Sequence, residues 1–365
     1  MQNIKPLFLI LIFLFIVNES FALPRYSLKL GDRCESCHVN PTGGNMRNLN
    51  GWHFGKNLLG MYTPHDKEFK LTPQLNDNIS LGLDYRTQYL YSQEKKKSDF
   101  QEMTGSIYAN VELGNKIDVF ARYDFINFIW EGYAVAKILP NNGYIKAGTF
   151  QPNYGIRLDD HTAYTRGGDF FLLFTGGARQ GLLYDPFYRE TGVEVGLNFS
   201  DFSNFTFSAG KNSSATTFRE DLTYTTRLEF TPRIGELGLL FGGSAAVAHL
   251  PRKATLMGGF AGIGYDSFAL LAQYDIAEDL RSADTKSNVM MVEASYQIMG
   301  GLEAIVRYDK IDPNDAVDDD EISRLVAGFE YFPYSFIEIR PQYRFQFEET
   351  DIDNNSFVIQ LHLWY

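Results

Sequence analysis

At 365 residues the chain has room for one large domain or two modest ones. Its formal net charge of −12 excludes nucleic acid as a partner, disfavours anionic lipid headgroups and attracts cations. Past the extreme N-terminus no apolar run approaches the ~20 residues of a spanning helix, so a helical membrane protein is excluded.

The N-terminus is of another kind. Lys5 precedes the apolar run Leu7 to Val17, and Ser20-Phe21-Ala22 is a small-x-small cleavage signature. The pattern predicts a secretory signal peptide over residues 1–22, too short and wrongly flanked to span a membrane, with Leu23 as the mature N-terminus.

Next comes Cys34-Glu35-Ser36-Cys37-His38, which holds the only two cysteines of the chain. Two thiols three positions apart can each form a thioether to a haem vinyl group, and the following histidine then sits under the iron as proximal ligand. The motif predicts one covalently attached c-type haem bound through Cys34, Cys37 and His38. A small disulfide or a thioredoxin-like pair is the competing reading, but it wants a βαβ setting and needs no histidine. Export suits the haem, because c-type haem is attached outside the cytoplasm.

Pro41-Thr42-Gly43-Gly44 reads as a turn that lets backbone approach a flat ligand. Asn45 to Leu59 reads as a short helix ended by Gly60. Four side chains compete for the sixth iron position: Met46, His53, Met61 and His65. His53 ranks first, since it shares a face with Leu49 at i, i+4 and would present its imidazole beside an apolar patch. Met61 ranks second, and a five-coordinate or water-ligated iron is the third reading. Arg47 could pair with a haem propionate through its planar fork, with a solvated arginine as the alternative. This segment, residues 23–76, is thin in apolar residues and too small to fold alone. It should lean on the rest of the chain.

From Asn78 to the C-terminus, over residues 77–365, the pattern has period two. Ile337, Ile339, Tyr343, Phe345 and Phe347 alternate with Glu338, Arg340, Gln342, Arg344 and Gln346. Phe357, Ile359, Leu361, Leu363 and Tyr365 alternate with Val358, Gln360, His362 and Trp364. A soluble sandwich would also alternate. Segments of about ten residues, charged on one face and aromatic near the ends, favour an antiparallel transmembrane β-barrel with its charged face inward. Sixteen segments are predicted, starting near Asn78, Gln101, Lys116, Ile129, Gly143, Arg189, Asn204, Asp221, Glu236, Ala254, Ser267, Asn288, Gly301, Ile322, Ser335 and Ser356. Short links such as Gly114-Asn115, Asp266-Ser267 and Pro333-Tyr334 alternate with longer polar ones such as Asn212 to Glu220 and Asp309 to Glu321. Short periplasmic turns alternating with long outer loops mark an outer-membrane barrel. The Phe125 to Trp130 link is the weakest, and without it the count is 14.

A barrel of this size encloses an aqueous lumen. The longest connection, Gln151 to Tyr188, carries Tyr154, Arg157, Asp159, Asp160, His161, Tyr164, Arg166, Asp169 and Arg179. It reads either as a loop folded into the lumen, with His161 a remoter haem-ligand candidate, or as a surface loop. The acidic run from Asp312 to Glu321 could gather Ca2+ or Fe2+; the plainer reading is solvated charge.

A signal peptide, one Cys-x-x-Cys-His near the mature N-terminus and a barrel to the end together resemble the fused monohaem cytochrome–porins of bacterial outer membranes, including the iron-oxidising type. The resemblance covers the mature chain in architecture, and its specific motif is Cys34 to His38 with the Pro41-Thr42-Gly43-Gly44 turn. The barrel looks shorter than in the iron-oxidising members. The family implies a haem held in the pore that passes electrons between the outside and periplasmic carriers. A small haem segment tethered just before the first strand can plug the lumen. This reads as an electron-transfer protein, with iron oxidation as a possible activity, rather than an enzyme that transforms a substrate. The family also implies a periplasmic carrier such as a soluble cytochrome, outer-membrane lipid, and extracellular Fe2+ or another redox partner. A hydrocarbon core of about 30 Å is too thick for one efficient tunnelling step, so a single haem would have to sit within it or work with carriers at one face. Two other readings are a selective porin with the haem segment as gate or sensor, and a haem enzyme such as a peroxidase. The enzyme needs an open distal position and an arranged set of acid–base groups that the sequence does not display.

Overall fold

The computed structural model describes residues 24–30, 33–63, 70–158, 160, 162–168, 181–213, 221–249, 252–348 and 353–365. The signal peptide expected over residues 1–22 and the candidate residues His65, Asp159, His161, Asp169 and Arg179 lie outside the described residues.

Alternating sequence becomes alternating burial. In the last strand Phe357, Ile359, Leu361 and Leu363 are half-buried, while Val358, Gln360, His362 and Trp364 between them are buried. In the preceding one Glu338, Arg340, Gln342, Arg344 and Gln346 are buried, and Phe345 and Phe347 point outward at 39% and 51% exposure. An outward apolar band around an inward polar wall is the inverse of a soluble core, and it suits strands that face lipid. No helix among the described residues is long and apolar enough to cross a membrane.

The strands are β1 (Ile79–Ser92), β2 (Lys97–Leu113), β3 (Ile117–Asp124), β4 (Ile129–Ala136), β5 (Tyr144–Phe150), β6 (Glu190–Ser200), β7 (Ser203–Asn212) and β8 (Thr223–Phe230). They continue as β9 (Leu237–His249), β10 (Lys253–Tyr265), β11 (Phe268–Glu278), β12 (Lys286–Met299), β13 (Leu302–Asp312), β14 (Ile322–Tyr334), β15 (Ile337–Glu348) and β16 (Ser356–Trp364). Each pairs antiparallel with its neighbours, and β16 closes on β1 with Leu361 opposite Thr87. The sheet holds 18 hydrogen-bonded segments, of which Gln74–Asn76 and Arg233–Ile234 are short additions at one rim. Sixteen strands therefore close the barrel, as expected.

The alternative of 14 strands is overturned at the Phe125 to Trp130 link. There the Asp124 carboxylate accepts from the backbone N–H groups of Ile126 and Asn127, at 3.1 and 3.0 Å, and closes a tight turn between β3 and β4. One short turn is also displaced. Pro333-Tyr334 belongs to β14, and the chain reverses at Ser335-Phe336, where Phe336 has φ 65°. The N–H of Met61 donates to Phe332 and that of Tyr62 to Pro333, so the N-terminal segment extends the strand past the expected turn.

The N-terminal segment packs against the inner wall. Two short helices, α1 (Pro24–Leu30) and α2 (Leu49–Phe54), lie toward the short-turn rim. An ideal Cβ at Gly238 would lie 2.0 Å from the Leu28 carbonyl oxygen, and one at Gly264 would lie 2.7 Å from Leu28 Cβ. Only glycine lets β9 and β10 approach α1 this closely.

Candidate functional site

The Cys34–His38 segment is a compact unit closed by its own backbone. Residues 34–36 form one 3-10 turn, and the N–H groups of Cys37 and His38 both donate to the Cys34 carbonyl. Asn48 ties this turn to α2. Its Nδ2 donates to the carbonyls of Glu35 and Ser36, and its Oδ1 accepts from Gly51 N–H at 3.0 Å, an N-cap. The helix expected from Asn45 therefore begins at Leu49. It gives way to a π-helical turn over Gly55–Leu59 before Gly60.

The Pro41-Thr42-Gly43-Gly44 turn folds back over the motif. Gly43 and Gly44 have φ of +81° and +74°, conformations that side chains resist. A Cβ at Gly43 would lie 3.1 Å from Cys34 Sγ. The barrel wall grips the same turn. Lys146 Nζ donates to Asn40 at 3.2 Å, Arg157 Nη1 to the Gly43 carbonyl at 3.1 Å, and Asn45 donates to Glu131 at 2.9 Å. Lys146 itself is fully buried against Glu194 at 2.6 Å.

The described residues of the predicted long loop from Tyr154 to Thr162 cross the lumen rather than lie on the surface. Tyr154 donates to Asp275 at 3.0 Å, Gly155 N–H to Ser244 and Ile156 N–H to Gln273. Farther along, Arg307 donates to Asp160 at 2.7 Å and Arg324 to the Thr162 carbonyl at 2.8 Å. Burial opposes ionisation of Asp160, but Arg307, Arg344 and Arg324 outweigh it and hold its carboxyl well below the usual range. From the other side α1 pairs Arg25 with Glu330 and Lys29 with Glu303.

Between these parts lie two recesses, and His38 borders both. The first is lined by Cys34, Gly43, Ile156, Arg157, Arg227 and Leu240. The second takes in Arg47, Arg86, His362 and Trp364. Burial, then the Arg47 charge, pushes the His38 imidazole down to about 3, so it is neutral at ordinary pH. Its Nδ1 is buried and makes no hydrogen bond of normal geometry, although the peptide groups of Met46 and Asn45 act on it. Burial, with Glu229 adding, pushes the Cys34 thiol up to about 12.

The other candidate residues are scattered. Arg47 lies 4.9 Å over the Trp364 ring. Met46 is buried among Val39, Tyr108 and Phe120. His53 is exposed, Met61 is 47% exposed, and neither borders either recess. The reason is Gly51, where a Cβ would lie 2.1 Å from the Cys37 carbonyl oxygen. That face of α2, with Trp52 packed on Phe336 at 5.4 Å, turns inward and leaves Leu49 and His53 outside. In the acidic run Lys286 pairs with Asp315 and Lys310 with Glu321. No group of three or more metal-binding side chains is found among the described residues. In sequence Arg157 reads only as a residue of the long loop, and no pattern connects it, Arg227 or Lys146 with this segment.

No protein-family model and no curated protein matches the chain. Solved porins share its fold. OprB of Pseudomonas putida matches with a TM-score of 0.60 at 10% identity, over 85% of this chain and 99% of its own. The outer membrane channel DcaP of Acinetobacter baumannii matches at 0.53 and 12%, over 81% and 100%. An anion-selective porin from Comamonas acidovorans matches at 0.54 and 11%, over 79% and 98%. The chain has a porin-like β-barrel fold.

Proposed function

We propose that this protein is an outer-membrane electron carrier that holds one covalent c-type haem inside its barrel and passes electrons between a soluble periplasmic carrier and a redox partner outside. The observation that supports this most is the position of Cys34 and His38 on one recess within the lumen. The residues suit the group. His38 has a neutral ring, the form that binds iron, and an Nδ1 with no settled partner. Gly43 lets the turn close on Cys34 without a side chain in the way. The haem supplies reversible one-electron chemistry when bound.

This chain's residues do the rest. Cys34 and Cys37 tether the group, His38 ligates it, and Arg157 offers a guanidinium to a propionate at the recess wall. Lys146, Glu131 and Arg157 fix the turn that carries the ligands, so the barrel wall positions what the small segment could not hold alone. The apolar outer band supports a location in the outer membrane, where the wall would insulate the group from lipid. Extracellular Fe2+ is one donor that a net charge of −12 would attract.

A solute-selective porin with the segment as gate is the second reading, favoured by the channel and porin among the structural neighbours. Against it stands the crowding of the lumen by loop 151–168 and the N-terminal segment. Haem staining on a denaturing gel tests the first reading. The full chain should stain and Cys37→Ala should not; a stained variant with unchanged spectra would sink the assignment.

A further inference from the structure

We infer that the iron of this haem keeps its sixth position open to a small exogenous ligand, with buried Arg227 and its partner Glu229 as the polar group beside it. The inference rests on the haem reading above.

Cys34 borders only the first of the two recesses, so a haem tethered there and ligated by His38 occupies that one. Among the described residues, the lining of this recess has no second histidine and no methionine. Met46 points into an apolar cluster on the barrel wall, while His53 and Met61 are exposed. His362 belongs to the second recess and is held between Glu338 at 2.9 Å and Asp84 at 3.4 Å. Among the described residues, no strong-field side chain is thus in place opposite His38.

A fixed polar pair borders the recess instead. Arg227 is 8% exposed, donates through Nε to the Gly155 carbonyl at 2.9 Å and meets Glu229 at 2.5 Å. Its guanidinium lies 4.5 Å over the Phe260 ring, which holds it in one plane. Arg227, Glu229 and Arg157 line the same recess as Cys34, so the pair lies close to where the haem is tethered. Polarity and donors on the distal side decide what a five-coordinate haem binds. Paired with Glu229, Arg227 adds little net charge to the recess. What it offers is a guanidinium donor, from which an anionic ligand such as cyanide accepts better than a neutral one such as carbon monoxide.

The test uses the full chain in detergent, as wild type, Arg227→Gln and His161→Ala. The ferric protein should be high-spin, the ferrous protein should bind carbon monoxide, and the ferric protein should bind cyanide. Arg227→Gln should weaken cyanide by about tenfold or more and carbon monoxide by less. Low-spin spectra in both oxidation states with no carbon monoxide binding would overturn the inference. If His161→Ala converts a low-spin protein to high-spin, that side chain is the ligand and the open position is refuted. Unchanged cyanide affinity in Arg227→Gln would refute the placing of this pair beside the bound ligand. A chain with no haem stain at all would instead defeat the haem reading on which this rests.

Discussion

Gly238→Val should unseat α1 while leaving the barrel closed. A Cβ at this position would lie 2.0 Å from the Leu28 carbonyl oxygen, against ordinary contacts of 3.4–4 Å, so the helix must move by more than an ångström. Leu28 is 3% exposed in a cluster with Ile156, Leu240 and Phe260, and burying such a side chain contributes about 1.5–3 kcal/mol. Amide hydrogen exchange over residues 24–30 should therefore rise by about 10–150-fold, with the strands unchanged. Gly259→Val is the control, because a Cβ there meets only the Gly242 carbonyl oxygen at 3.8 Å. Unchanged exchange in Gly238→Val, or an equal rise in both variants, would refute the seating of α1 on these glycines.

Leu361→Arg, aimed outward near mid-strand, should cost about 2–4 kcal/mol of folding free energy in lipid, and Gln360→Arg, aimed at the lumen, clearly less. Equal tolerance at the two would argue against the facing of β16. Arg307→Met removes the partner of Asp160 at 2.7 Å and of Asp309 at 2.8 Å, and should destabilise the protein by about 3–5 kcal/mol in denaturant titrations. A loss below about 1 kcal/mol would mean that the loop is held elsewhere.

The barrel was legible because each strand carries its own local signal. Alternation at Ile337–Glu348 and at Ser356–Trp364 needs no knowledge of the neighbours, and the segment starts fall within a few residues of the observed strands. What escaped depends on distant partners. α1 is only seven residues long, and its cations meet carboxylates 274 and 305 positions away, which no periodicity reports. His53 looked suitable by spacing from Leu49, but Gly51 and Trp52 decide which face of α2 turns inward. The long loop could be read either way in sequence; Gln273, Asp275, Arg307 and Arg324 across the lumen settle its path.

Electron transfer across proteoliposomes, measured together with single-channel conductance, separates a sealed haem-bearing barrel from an open pore. The full mature chain should pass electrons between a soluble cytochrome and an oxidant or reductant on the other side while conducting few ions. Deletion of residues 23–72, which removes α1, the Cys34–His38 turn and α2, should abolish electron transfer and raise conductance. If the intact protein already conducts like an open porin, or if the deletion leaves electron transfer unchanged, no haem-bearing segment is sealed inside the barrel.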